Sequence, residues 1–242
     1  MTRIALPPWL IALPIATVVL AGCASNPLRM AKPPELAGRA AVLEVSDRSS
    51  ARGLLVDESF KLGSDQVSQV KRDWDSGGGL AIGPLSTRQQ REGFRYRYLG
   101  REDWDAQCEY TSQERGLQLF KSLALEDNKA HLSCACRSGS EQVQIDLDDE
   151  WKPLQGSARI GSSSYRISQI AERRTVNGMA VEQGLKSPAL GYRLDDAARG
   201  QSVAAVEVLH PGRVWLAHQL PASEREPLAC LMAGLMLYGP QQ

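Results

Sequence analysis

From Glu92 to Leu99 the chain alternates strictly, with Phe94, Tyr96 and Tyr98 on one side and Arg95 and Arg97 on the other. Period two is the signature of a strand that buries one face. The same pattern returns three times: Leu132, Cys134 and Cys136 within His131 to Arg137, Val143, Ile145 and Leu147 within Gln142 to Leu147, and Tyr165 and Ile167 within Ser164 to Ile170. Shorter strands are predicted over Ala41 to Val45, Gly53 to Asp57, Gly116 to Phe120, Gly191 to Leu194, Ser202 to Leu209 and Arg213 to His218. Ser138-Gly139, Asn177-Gly178, Arg199-Gly200 and Pro211-Gly212 punctuate them as antiparallel turns do. No internal repeat of solenoid or propeller type is present.

After Pro221 the pattern changes to an uncharged apolar run, Leu228 to Tyr238. Ser223 with Glu226 fits a capping box, and Pro227 fits a first helical position, so a helix is predicted to start at one or the other. At 1.5 Å per residue the run spans roughly 16 Å, about half a bilayer core, which predicts a buried helix rather than a membrane span. A helix apolar all round must be surrounded, and the strands are what can surround it. The expected fold is mainly β: an antiparallel barrel or sandwich of many short strands packed around one apolar C-terminal helix. This order of elements, from Ala41 on, loosely resembles the tubby carboxy-terminal and scramblase-like folds, a resemblance that implies a closed barrel wrapping the helix; a sandwich or open sheet is the alternative.

A third pattern opens the chain. Arg3 precedes an apolar stretch from Ile4 to Leu20, interrupted by Pro7, Pro8 and Pro14, and ending in Leu20-Ala21-Gly22-Cys23. The layout is that of an export signal, and three prolines suit a transient signal better than a lone spanning helix. The four-residue ending resembles the lipobox of bacterial lipoproteins. That resemblance implies cleavage between Gly22 and Cys23, a diacylglyceryl thioether on Cys23 and, in many Gram-negative bacteria, an amide-linked acyl chain on its new amino group. More than one chain is needed, because each buried CH₂ contributes about 0.8 kcal/mol and a single chain binds only marginally. Ala24, where an aspartate would signal retention, implies sorting to the outer membrane, facing the periplasm.

The expected organisation is therefore a signal over 1–22, a lipidated cysteine and flexible tether over 23–40, rich in proline (Pro27, Pro33, Pro34) with Gly38, and one globular β-rich domain over 41–242. About 220 residues follow the signal, enough for one large all-β domain. Hydrophobic residues at 43% and charged residues at 23% exclude a disordered body. Net charge is +0, with 28 basic and 28 acidic residues interspersed, which gives no footprint for nucleic acid and no polybasic stripe for anionic lipid. The expected partners are the membrane, through the lipid on Cys23, and an envelope protein, lipid or polymer.

Beyond Cys23 an even set of thiols remains, Cys108, Cys134, Cys136 and Cys230. In an exported chain these are disulfide candidates. Cys134 and Cys136 share a strand face some 6.5 to 7 Å apart and should not pair with each other. One of them is expected to pair with Cys108 across neighbouring strands; Cys230 either joins the other or is a buried free thiol. His131 would lie on the opposite strand face from both cysteines, and no CxxC pair is present, so no metal site is expected. Asp146 to Glu150 lacks EF-hand spacing, since Trp151 stands where glycine is required, and Gly77-Gly78-Gly79 precedes no Lys-Ser/Thr pair. No cofactor is implied. The expected function is a non-catalytic binding or structural module of the cell envelope. The alternatives are an envelope hydrolase assembled by the fold from His210, His218, serine and acidic residues, and a thiol-based redox sensor using Cys134 or Cys136.

Overall fold

The computed structural model describes residues 29–51, 56–75, 77–82, 85–120, 123–150, 155–170, 173–174, 180–181 and 189–238. The signal, Gly22, Cys23 and the Asn177-Gly178 turn lie outside the described residues, as does most of the strand expected over 53–57; its described end, residues 56 and 57, is not in a strand.

The strands in chain order are β1 (Arg29–Met30), β2 (Ala40–Ser46), β3 (Phe60–Leu62), β4 (Asp65–Asp75), β5 (Gly79–Ile82), β6 (Leu85–Leu99), β7 (Asp103–Phe120) and β8 (Leu123–Ser138). There follow β9 (Glu141–Glu150), β10 (Gln155–Ile160), β11 (Ser163–Ile170), β12 (Arg173–Arg174), β13 (Ala180–Val181), β14 (Gly191–Asp196), β15 (Ser202–Glu207) and β16 (Arg213–Ala217). A single helix, α1 (Ala222–Tyr238), ends the described chain. Pairing runs β4-β3-β2-β16-β15-β14-β11-β10-β9-β8-β7-β6 and returns from β6 to β4, so twelve antiparallel strands close into a barrel. The barrel, rather than the sandwich, is the arrangement adopted. Closure leaves no edge around the core.

Inside lies α1. Every residue from Pro227 to Leu237 is buried. It meets the inward side chains of the alternating strands: Phe94, Tyr96, Tyr98, Trp104, Leu132, Val143, Ile145, Leu147, Tyr165 and Ile167 belong to the same core. An apolar helix has no solvent-facing side to keep polar when a sheet encloses it completely.

α1 begins at Ala222, one residue before Ser223 and five before Pro227, so the start lies at the capping box and Pro227 falls inside the helix. The polar first turn belongs to the helix because the rim where α1 enters, formed by the turns after β6, β8, β10, β14 and β16, gives those side chains partners. Glu226 accepts from the backbone N–H of Glu102 at 2.9 Å and faces Arg101, and Glu224 accepts from Ser163 Oγ at 2.6 Å and from the Tyr165 hydroxyl. At the opposite, far rim, Arg72 donates to the carbonyl of Leu237 at 2.9 Å and Arg48 to that of Met236 at 2.7 Å. Acids at the start and cations at the end match the helix dipole. Arg72 is buried between Glu58 and Glu92 at 2.6 and 2.5 Å. Desolvation alone would lower its pKa, yet the two carboxylates outweigh that and the net direction is upward.

Two disulfides secure this packing. Cys108 and Cys134, directly opposite on β7 and β8, are bonded, and Cys136 is bonded to Cys230 on α1. The second closes 94 residues of sequence separation, which in the chain-entropy account stabilises by about 4–5 kcal/mol.

The expected tether differs. From Arg29 it runs down the outside of the barrel: β1 pairs with β12, a 3-10 turn spans Pro34–Leu36, and Met30 and Leu36 pack with Leu190, Ala205 and Trp215 in a second apolar cluster. Glu207, fully buried, accepts from the Met30 N–H at 2.7 Å and from Arg213 Nε at 2.9 Å. The proline-rich composition concealed two apolar side chains that fill a hollow over β14, β15 and β16.

Gly234 sits where a Cβ would lie 2.9 Å from the Tyr96 hydroxyl and 3.3 Å from the sulfurs of Cys108 and Cys134. Alanine gains about 1 kcal/mol of helix propensity, whereas overpacking a rigid core costs about 1–3 kcal/mol. The Tyr96 hydroxyl is held by the Cys230 carbonyl at 2.7 Å and the disulfide does not yield, so overpacking wins. Gly234→Ala is expected to lower stability by about 1 kcal/mol in chemical denaturation; a stabilised variant would show that the helix is free to shift.

Candidate functional site

With the interior filled by α1, the surface available to a ligand is the outside. Strands β6, β7 and β8 run 15, 18 and 16 residues, far beyond the segments whose alternation is visible in the sequence. The outer face of β4, β6, β7, β8 and β9 is where these long strands lie side by side. An open groove of about 760 Å³ lies on it, lined by Lys71, Arg95, Arg97, Gln107, Arg137 and Gln144 among others. It meets a second hollow of about 520 Å³, toward the far rim, at Thr111 and His131.

Register builds the groove in cross-strand rows. Lys71, Arg95, Gln107, Ala135 and Gln144 form one, and Arg97, Asp105, Arg137 and Gln142 another. A third runs Arg91, Thr111, His131, Asp148. In it His131 Nδ1 and Asp148 Oδ1 are 2.6 Å apart. Arg91 pairs with Glu109 at 2.5 Å and Arg97 with Asp103 at 2.9 Å. The result is a surface of interspersed charge and amide groups, suited to hydrogen-bonding and ionic recognition of a polar ligand.

The structure puts His131 outward while Cys134 and Cys136 point inward, as alternation requires. His210 donates to or accepts from nothing catalytic: its Nε2 lies 2.8 Å from the Arg48 carbonyl. His218 is exposed at the entry rim, and Ser163 is engaged with Glu224. Among the described residues, His210 and Ser163 are thus engaged with the Arg48 carbonyl and Glu224. Among the described residues no group of three histidine, cysteine or acidic side chains could hold a metal ion. All four disulfide sulfurs belong to buried residues, which gives a redox reading no accessible thiol among them.

The His131–Asp148 pair was not found in the sequence, although a signal existed. Ser138-Gly139-Ser140-Glu141 makes a tight hairpin turn, and its register fixes 131 opposite 148. Burial dominates the tyrosines near the helix. Desolvation pushes the Tyr96 phenol up, and desolvation followed by the adjoining carboxylate does the same to Tyr98 beside Asp65 and Tyr165 beside Glu224. They are neutral structural donors. No helix among the described residues is long and apolar enough to cross a membrane. Comparisons with protein-family models, with curated protein sequences and with solved structures found no match to this chain.

Exposed ion pairs contribute about 0–1 kcal/mol each. Arg95→Glu and Arg137→Glu are therefore expected to shift the stability of the folded chain by less than about 1 kcal/mol in chemical denaturation. A larger loss would make this face part of the framework instead of a surface free to evolve a ligand.

Proposed function

We propose that this chain is a lipid-anchored protein of the cell envelope, attached through acyl chains on Cys23 and acting as a non-catalytic binding module whose ligand-facing surface is the outer groove of β4, β6, β7, β8 and β9. One observation supports the binding reading: α1 fills the barrel, so recognition falls to the outside, where the described strands carry a polar, mixed-charge groove. The anchor rests on Leu20-Ala21-Gly22-Cys23 behind an apolar, proline-broken stretch, and the placement at the outer membrane on Ala24. Balanced charge agrees with attachment by lipid and not by a basic surface. The cysteines agree with an oxidising compartment.

A second reading, an envelope hydrolase, is favoured by the oriented His131–Asp148 pair beside Thr111. It is the weaker, because both side chains are solvated, His131 at 45% and Asp148 at 67% exposure, where water weakens the electrostatic help a catalytic pair can give.

The test uses the full chain expressed in a bacterium with two membranes, carrying a photo-crosslinking residue at Gln107. The expected outcome is a membrane-extracted protein whose mass begins at Cys23 with added acyl chains, a discrete envelope adduct at Gln107, and loss of that adduct in Arg95→Glu with Arg137→Glu. Cys23→Ala is expected to keep the signal or leave the membrane fraction. A chain unmodified at Cys23 contradicts the anchor, and the absence of any adduct contradicts the groove.

A further inference from the structure

β6 pairs with β4 only as far as Arg91, and residues 85–90 continue past the far rim of the barrel. They do not continue alone. β5 pairs with 85–88 on one side, the end of β7 follows on the other, and β8 pairs with β7 up to Phe120 and Leu123. The barrel thus carries a projecting arm of four strands. At roughly 3.4 Å per residue the arm stands about 20 Å beyond the last β4 pair.

Its tip is apolar on one face. Leu80, Ile82 and Leu85 are 63, 66 and 57% exposed. Ile82 pairs with Leu85 and Leu80 with Thr87, so all three share the face that carries Arg91 and Arg95 further down. Register continues this row, placing Leu85 opposite Leu117 and Leu117 opposite Leu125. The alternate positions of β6 on the arm are Ser86, Arg88 and Gln90. Three large aliphatic side chains held together at the end of a projecting ribbon form an apolar patch of the kind that marks a contact surface.

The path of the N-terminus identifies what it contacts. Arg29 and Met30 are fixed by Glu207, which pairs with Gly191 and Arg213 at the starts of β14 and β16, and these lie at the same far rim as the arm. From there the chain descends the outside of the barrel to β2, so Arg29, the first described residue, stands at the arm's end of the molecule. Between Cys23 and Arg29 a fully extended chain covers at most about 20 Å, at 3.3–3.6 Å per residue. The reach of the anchor and the projection of the arm coincide.

We infer that the arm tip, through Leu80, Ile82 and Leu85, inserts into the bilayer that holds the acyl chains of Cys23, making a second contact that turns the far rim toward the membrane and leaves the opposite rim and the groove facing the aqueous space. This inference rests on the proposed lipid anchor. Residues of this kind contact hydrocarbon without help from basic charge, which agrees with the neutral chain.

The experiment takes the full chain in membranes, with Leu85→Cys or Ile82→Cys labelled by the environment-sensitive dye NBD, and Arg199→Cys at the opposite rim as reference. Intact mass confirms acylation at Cys23, both disulfides and one dye. The expected result is blue-shifted emission at 82 and 85 that is lost to doxyl groups carried on lipid tails, with water-like, unquenched emission at 199. Water-like emission at 82 and 85 in an acylated protein overturns the inference while leaving the anchor standing. Blue-shifted emission that lipid-borne quencher does not reach means a protein cover, and also overturns it. Quenching at 199 as well overturns the orientation. A chain found unacylated and outside the membrane fraction removes the anchor reading and this one with it, and the mass distinguishes that failure from the others.

Discussion

The enclosure of one apolar helix by a closed sheet governs everything else in this molecule. A helix without a polar face is insoluble unless it is covered on all sides, and the apolar inward faces of these strands need an apolar filling, so each half supplies what the other lacks. The demands run outward from that fit. Inward positions of the strands take aromatic and branched side chains, Gly234 leaves room for the Cys108–Cys134 bridge, and Cys230 ties α1 to β8. The last carbonyls of α1, at Met236 and Leu237, which have no partners within the helix, accept from Arg48 and Arg72 at the far rim, while Glu224 and Glu226 tie the first turn to Ser163 and to the backbone of Glu102 at the entry rim.

A filled interior has a functional consequence. Barrels that carry small ligands keep a cavity, whereas here the inside is structural and the outer face is left for recognition. The outer strands carry arginine, aspartate, glutamine and threonine in rows, a surface unlike the apolar band that a membrane-spanning barrel presents to lipid. The two rims differ in kind. The entry rim is built of tight hairpins bonded to the first turn of α1, while the far rim carries the arm and receives the N-terminal segment.

Much of the barrel was readable from the sequence wherever one face is buried and the other wet. Phe94-Arg95-Tyr96-Arg97-Tyr98, Leu132 to Cys136 and Val143 to Leu147 announced their faces, and the charge-free run announced its enclosure. Where the physical contrast is missing, so is the signal. The arm has solvent on both faces, so residues 85–91 show no alternation although they are strand. In β4, Arg72 takes an inward position through its carboxylate partners and breaks the pattern. Met30 and Leu36 are isolated among prolines and gain their meaning only from Trp215 on a distant strand. The first turn of α1 is marked in the sequence by Ser223 and Glu226, but the partners its glutamates find across the rim, in Glu102, Ser163 and Tyr165, leave no local trace. The His131–Asp148 pair required a hairpin register that composition does not reveal, and the groove required long strands lying side by side, which no local pattern encodes.

The central claim, that α1 runs through the middle of a closed barrel, is tested most directly by amide hydrogen exchange on the native, disulfide-intact protein. The account predicts that amides of 228–237 exchange only with global unfolding, at the same rate as those of Phe94 to Tyr98 and Leu132 to Cys136, since every route to them requires opening the sheet. Exchange of 228–237 well ahead of those strands would place the helix at the surface and contradict the account.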